Sequence, residues 1–252
     1  PNQRMDLLDN EQKRVNLRYL GEFDWGSLES RVYHEAVSHF MEFGPDKKFL
    51  YTTGNTTQGM PMNSKGKTSG ATIKADLNLT AKDTFRVGSE YQHYALQDWW
   101  PAVTGSMGMG PNEFLNINDG KRERLALFTE WEKSFASDLT GLAGVRYEHV
   151  NTSAGMVHGY GGMDMNQTRD AANFNNADRN KTDNNLDATL LGRYKANANA
   201  DIEMGFARKV RSPNLYERYT WSTASMMAIM NNTVGDGNGY LGDVNLKSEK
   251  AH

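Results

Sequence analysis

Two soft donors stand two residues apart in the stretch EAVSHFMEF, residues 35–43: His39 and Met41. Imidazole and thioether together favour copper, above all Cu(I), over harder ions that prefer oxygen. Two such ligands alone bind weakly, so a site built on them needs partners. Further close pairs recur along the chain: Met60 and Met62 in GMPM, Met107 and Met109 in SMGMG, Met156 and His158 in GMVHG, Met163 and Met165 in GMDM. Met226, Met227 and Met230 follow in SMMAIM. Glycine beside these residues lets thioethers converge at low steric cost. The competing reading is packing, with His39 as a hydrogen-bonded polar residue and methionine as adaptable filler between loops that fold over one another.

Other chemistries find little support. No Ser-His-Asp spacing, zinc-helix motif or phosphate loop is present. Glu130 and Glu132 share a face across Trp131, yet nothing else marks a cleft for acid-base work, so the chain reads as a non-enzyme. The Asn/Asp-rich run 169–187 lacks EF-hand spacing and reads as a solvated loop. His93 and His149 read as structural. With no cysteine, neither a disulfide framework nor a thiolate site can be built from this chain. A net charge of -3 without a basic stripe argues against nucleic acid as a partner.

The donors must be positioned by strands, because the hydrophobic period is two. Between Lys13 and Phe23, Val15, Leu17, Tyr19, Gly21 and Phe23 alternate with polar residues, and a tight turn at Asp24-Trp25-Gly26 leads into a second strand over residues 28–43. There Leu28, Val32, Ala36 and Phe40 oppose Arg31, Glu35, His39 and Met41. Three more hairpins follow: strands near 71–79 and 85–97, near 122–135 and 140–150, and near 186–195 and 201–209. Their turns are short, whereas the connections over 44–68, 98–120, 151–184 and from 211 onward are long.

Strict alternation of short turns with long loops is the signature of an outer-membrane barrel, whose two rims differ in this way. The absence of a long apolar run excludes a transmembrane helix and leaves a barrel open, since barrel strands hide their apolar face by alternation. Trp25, Phe85, Tyr91, Trp99, Trp100, Trp131, Tyr147 and Tyr194 suit interfacial girdles. The other face carries Arg14, Arg18, Arg31, Glu35, Lys74, Asp76, Arg86, Glu90, Arg124, Glu130 and Glu132. A small closed barrel fills its interior with side chains, so a face this charged fits part of a larger barrel better. On that reading His39 and Met41 point into the lumen.

Near the end stand MGFARKVRSPNLYERYTWST, residues 204–223, and GDVNLKSEKAH, residues 242–252. Together these phrases resemble TonB-dependent outer-membrane receptors, with an Arg-rich strand end running into a long loop and an N-x-x-L-K-x-E phrase, nearly matched by residues 243–249, opening the next strand. Ser248 stands where many members have proline. Arg208, Arg211 and Glu217 in the first phrase read as ion-paired wall residues. His-x-Met on a strand and methionine-strewn loops are similar to the copper receptors of that family. The resemblance implies an all-β, antiparallel transmembrane barrel of about 22 strands around a plug, with residues 1–252 supplying about 8 of the strands as one barrel segment without its plug. It further implies a bacterial outer-membrane location, lipid contact, copper as transported cargo, coupling to the TonB complex through the plug, and additional soft ligands on the plug. Two alternatives stay open: the same fold serving a siderophore or other chelate, with Trp99, Trp100, Tyr160 and Tyr240 as contact residues, or a soluble β-rich adhesion or glycan-binding fragment whose apolar faces pack on each other.

Overall fold

The computed structural model describes residues 5–43, 51–53, 56–162, 164–231 and 238–252, with backbone alone for 51–53 and 56–58. Eight long strands form the body: β1 (Asp6–Phe23), β2 (Gly26–Glu42), β5 (Met62–Thr80), β6 (Asp83–Trp100), β7 (Phe114–Ser134), β8 (Leu139–Ser153), β9 (Lys181–Asn197) and β10 (Ala200–Arg211). A short β11 (Glu249–Ala251) pairs with the end of β10, and β3 (Tyr51–Thr53) with β4 (Thr56–Gln58) makes a separate small hairpin. Among the described residues the main sheet runs β1-β2-β5-β6-β7-β8-β9-β10-β11, each strand antiparallel to its neighbours. The four expected hairpins are present, and the short turns all lie at one end.

Register turns the period-two pattern into rows. Leu17, Val32, Ala71, Tyr91 and Leu125 stand side by side across five strands. The large members of that row are exposed, as are Ile73, Val87, Leu127, Val145 and Leu186 on the same face. No second sheet covers this face among the described residues. At the short-turn end the band closes with aromatics: Phe23 stacks on Trp25 at 4.9 Å and Trp131 meets Phe135 edge-on at 6.2 Å. From Trp131 to Leu125 is about 20 Å along an extended strand, close to the apolar band of an outer-membrane barrel. The next row up, His34, Ser69, His93, Glu123 and Asn151, is polar apart from Val15 on β1. The hydrocarbon level therefore ends below it.

The opposite face is charged and internally paired. Arg86 reaches Glu130 and Glu132, each at 2.7 Å, Arg146 reaches Glu90 at 2.6 Å, and Arg124 lies 3.4 Å from Glu148. Cross-strand neutralisation of this kind suits a hydrated interior, where each pair is worth little alone but like-charge contacts are avoided.

The hairpin turn into β2 depends on one glycine. Gly26 has φ +139°, a region that side chains rarely adopt, and a Cβ there would overlap the Asp76 carbonyl oxygen on β5. Gly26→Ala is expected to cost at least about 2 kcal/mol, measured by denaturant unfolding of the refolded barrel against wild type.

Strands β5, β7 and β9 begin well before the alternation does, and the long connections are more ordered than expected. Helix α1 (Met165–Asn176) lies in the long connection after β8 and overlaps the run 169–187, which reads as a solvated loop; α2 (Leu215–Tyr219) and α3 (Ser225–Met230) follow β10. Asp164 caps α1 by accepting from the Asn166 amide at 2.9 Å, and Gln167, Asp170, Ala171 and Phe174 form its buried face. No described helix is long and apolar enough to cross a membrane.

The helices and long loops fold into a cap over the polar ends of the strands. Its centre is aromatic: Phe114 stacks between Trp100 at 4.6 Å and Trp221 at 4.8 Å, with Tyr160 tilted against it. Trp221 also donates to the Leu115 carbonyl at 2.8 Å. Here, rather than between two sheets, lies the hydrophobic core.

Candidate metal-binding site

His39 sits near the upper end of β2, paired with Asn10 on β1 and Ser64 on β5. Five residues beyond His34, it stands clear of the apolar band. It lines a cavity of about 270 Å³ on the charged face together with Glu35, Tyr94 and Tyr216. The side chain therefore points to the lumenal side, as alternation from Leu28 and Val32 requires.

Met41 is two residues on, and its cross-strand neighbour on β5 is Met62. Directly opposed residues of an antiparallel pair share a face, so Met41 and Met62 lie side by side above His39. The Gly59 amide donates to the Glu42 carboxylate, which fastens the segment leading into β5 against the end of β2. Met60, next along, is buried in the cap, and Met62 packs against it. Met5, just before the start of β1 at the cap end and not singled out in the sequence, packs against the same cluster. Nothing in the local sequence of Met5 marks it; only pairing of β1 with β2 brings it here.

Tyr216 closes the cavity from above. Its hydroxyl donates to Asp98 at 2.9 Å, and Asp98 also accepts from Trp100 at 3.1 Å and Asn116 at 2.9 Å. Burial, reinforced by the Asp98 carboxylate, pushes the Tyr216 hydroxyl well above its ordinary pKa, so it stays a donor. Helix α2, which carries Tyr216, starts with a capping box between Asn214 and Glu217. Arg211, bonded to Glu217 at 2.8 Å, holds that carboxyl below the usual range.

The remaining donors divide. Met109 is buried in the cap with Met60, while Met107, Met156 and Met165 are exposed. His158 is exposed and its Nδ1 lies 3.1 Å from the Gly159 carbonyl. Met156 and His158 are not brought to the His39 cavity, nor is Met165; Met163 lies outside the described residues. Among the described residues no group of three or more His, Asp or Glu gathers as a metal site. His93 pairs with Glu123 and His149 with Asn184 on the outward side, in keeping with structural roles. Two of the aromatics considered for chelate binding, Trp100 and Tyr160, are fully buried inside the cap and offer no ring face.

The two phrases near the end of the chain meet in space. Arg211 bridges Glu217 at 2.8 Å and Glu249 at 2.9 Å, and Asp243 donates its amide to the Glu217 carbonyl at 3.0 Å. Arg208 departs from expectation: it bonds the Leu186 carbonyl at 2.6 Å instead of an acid. The sequence matches the family described as TonB dependent receptor-like, beta-barrel over residues 1–252. The chain belongs to that family. Receptor barrels of this family are outer-membrane proteins of Gram-negative bacteria.

Among solved structures, the chain is similar to one titled "Copper transporter OprC", with TM-score 0.66, 14% identity, and coverage of 85% of this chain and 34% of that one. It is also similar to the FrpB iron transporter from Neisseria meningitidis, F3-3 variant, with TM-score 0.54, 15% identity, and coverage of 80% and 28%. The F5-1 variant of that transporter gives TM-score 0.53 at 14% identity, with the same coverage. At these identities the likeness concerns the fold. The chain spans about a third of the length of the first of these structures. No curated protein matches it by sequence.

Proposed function

We propose that this chain is part of the wall of an outer-membrane importer for copper, energised through the TonB complex, with His39 and Met41 as lumenal ligands. The observation that carries the reading is the placement of imidazole and thioether on the lumenal face with a second thioether, Met62, directly across the strand pair. Imidazole with two thioethers is a soft set that favours copper over ferric iron. Receptor-barrel membership supplies the transport half of the proposal, and the location in the outer membrane follows from it. Residues outside this chain complete the coordination and couple release to TonB.

The test is titration of the receptor, purified in detergent, with Cu(I) and separately with a ferric chelate. His39→Ala and Met41→Ala are each expected to weaken Cu(I) binding roughly 100-fold, leaving the chelate isotherm flat as in wild type. Unchanged copper affinity in both variants removes the lumenal site. Chelate binding in place of copper points to the alternative cargo.

A further inference from the structure

Above the apolar band the outward face of the sheet carries charge unevenly. On three neighbouring strands the outward positions, in order of height, are His34, Ala36 and Ser38 on β2, Ser69, Lys67 and Lys65 on β5, and His93, Ala95 and Gln97 on β6. None is acidic. Carboxylates at this level stand on the flanking strands and already have partners: Glu11 pairs with Lys13 at 2.7 Å on β1, Asp119 with Lys121 at 2.9 Å on β7, and Glu123 lies 3.3 Å from His93. Lys65 and Lys67 are exposed, and among the described residues no carboxylate pairs with either.

The two lysines stand at different depths. Ala71 belongs to the last apolar row, and Lys67 and Lys65 are four and six residues above it on β5. That is about 13 and 20 Å along the strand, or about 10 and 15 Å of height at the tilt usual for such barrels. The headgroup layer of an ordinary bilayer adds only about 5–7 Å beyond the hydrocarbon. Lys67 lies between Ala36 and Ala95, so its stem is free to bend down to that layer. Lys65 is held higher, with its Nζ 5.6 Å from the centre of the Trp99 ring on the same outward face.

We infer that Lys65 and Lys67 dock the headgroup of an outer-leaflet glycolipid that carries phosphate on its sugars. The long-loop rim is the outer one, so this patch faces the outer leaflet. The apolar band directly below takes the acyl chains, Lys67 meets a phosphate at the level where the chains begin, and Lys65 meets one carried higher. A phospholipid with a single phosphodiester reaches Lys67 alone. Lysine, a flexible point charge, suits a phosphate that shifts with its lipid. The lack of acidic residues on the three strands spares the phosphate like-charge repulsion. The inference rests on the orientation of the barrel in the membrane and holds whichever metal is carried.

The full receptor in a neutral detergent is titrated with lipid A bearing two phosphates, with phosphatidylglycerol and with inorganic phosphate, and bound lipid is counted by native mass spectrometry. Lys67→Gln is expected to weaken both lipids roughly fivefold, and Lys65→Gln to weaken lipid A by a similar factor while leaving phosphatidylglycerol unchanged. The double variant is expected to lose roughly thirtyfold on lipid A, and the Lys65→Arg, Lys67→Arg pair to retain wild-type binding. Lys74→Gln removes the same charge from the lumenal face of the same strand and is expected to change neither lipid. Wild-type lipid A affinity in the double glutamine variant overturns the inference, as does an equal loss in Lys74→Gln. Equal weakening of both lipids by Lys65→Gln overturns the assignment to a glycolipid. Displacement of lipid A by inorganic phosphate at equal concentration overturns it too, by showing an anion site with no use for the lipid.

Discussion

Replacing Arg218 by methionine is expected to destabilise the cap by about 3–5 kcal/mol. The guanidinium is 2% exposed and serves three partners on three elements: Asp183 on β9, Thr152 on β8 and the Leu246 carbonyl in the final loop, each at 2.9 Å. Tyr219 adds its own bond to Thr152 at 2.8 Å. Methionine fills much of the volume but leaves the Asp183 carboxylate buried without its cation, and an uncompensated buried charge is the costly part of breaking such a pair. Because the strands below are held by their own ladders, the loss is local. Hydrogen exchange at the amides of Thr220, Gly242 and Asp243, which bond within the cap, is expected to quicken by more than a hundredfold, on the order of 10² for 3 kcal/mol, while the β6–β7 amides keep their protection. Arg218→Lys, a point charge without the planar fork, is expected to fall between. Unaltered exchange in the methionine variant contradicts the assignment of Arg218 as the tie between α2 and the strands.

The parts of the fold legible in the sequence are those where lipid meets one face. Val15, Leu17, Val32 and Leu125 announce their strands because the opposite positions are charged. Above the polar row through His34 and Glu123 that contrast ends, and strands continue without it. The first nine residues of β5, MNSKGKTSG, show no alternation; backbone pairing with β2 and β6 on both sides holds them extended. The same holds for KTDNN at the start of β9. Helix α1 escaped for a different reason. Two of its four buried residues are Gln167 and Asp170, so a hydrophobic period had little to register. Asp170 is buried against donors from Thr223 and Arg169; burial alone would raise its carboxyl, but these bonds outweigh it and the pKa is lowered.

The donor set was legible as a list and not as a geometry. His39 and Met41 needed only the two-residue repeat to be placed on one face. Met62 could be paired with Met41 only once the β2–β5 register was known, since a loop separates them. Met60 and Met109 look alike in sequence to Met107, yet two of the three fill the cap core. Exposure, which decides whether a thioether is free to bind, comes from the folding of loops over one another. Met226 and Met227 were visible as soft residues but had no partner until α3 came to lie beside the loop 101–113.

Asp98 links that cap to the lumenal cavity, and Asp98→Ala is expected to have the second largest effect. The carboxylate is 3% exposed and is the common acceptor for Trp100, Asn116 and Tyr216. Truncation orphans three donors, each at about 1–3 kcal/mol where water cannot replace the partner, so a loss of at least about 3 kcal/mol in cap stability is expected. Tyr216→Phe removes one of the three bonds and is expected to cost about 1 kcal/mol. The two changes are not additive. With Asp98 already alanine, the Tyr216 hydroxyl has lost its acceptor, and its deletion is expected to be neutral or mildly favourable. A double-mutant cycle followed by hydrogen exchange in α2 measures that coupling; strict additivity would show that the 2.9 Å bond contributes nothing in solution. Since Tyr216 and His39 line one cavity, the same cycle read by Cu(I) titration separates packing from ligation. Asp98→Ala is expected to weaken copper roughly tenfold by loosening the roof, less than loss of His39 itself, and Tyr216→Phe to leave it near wild type.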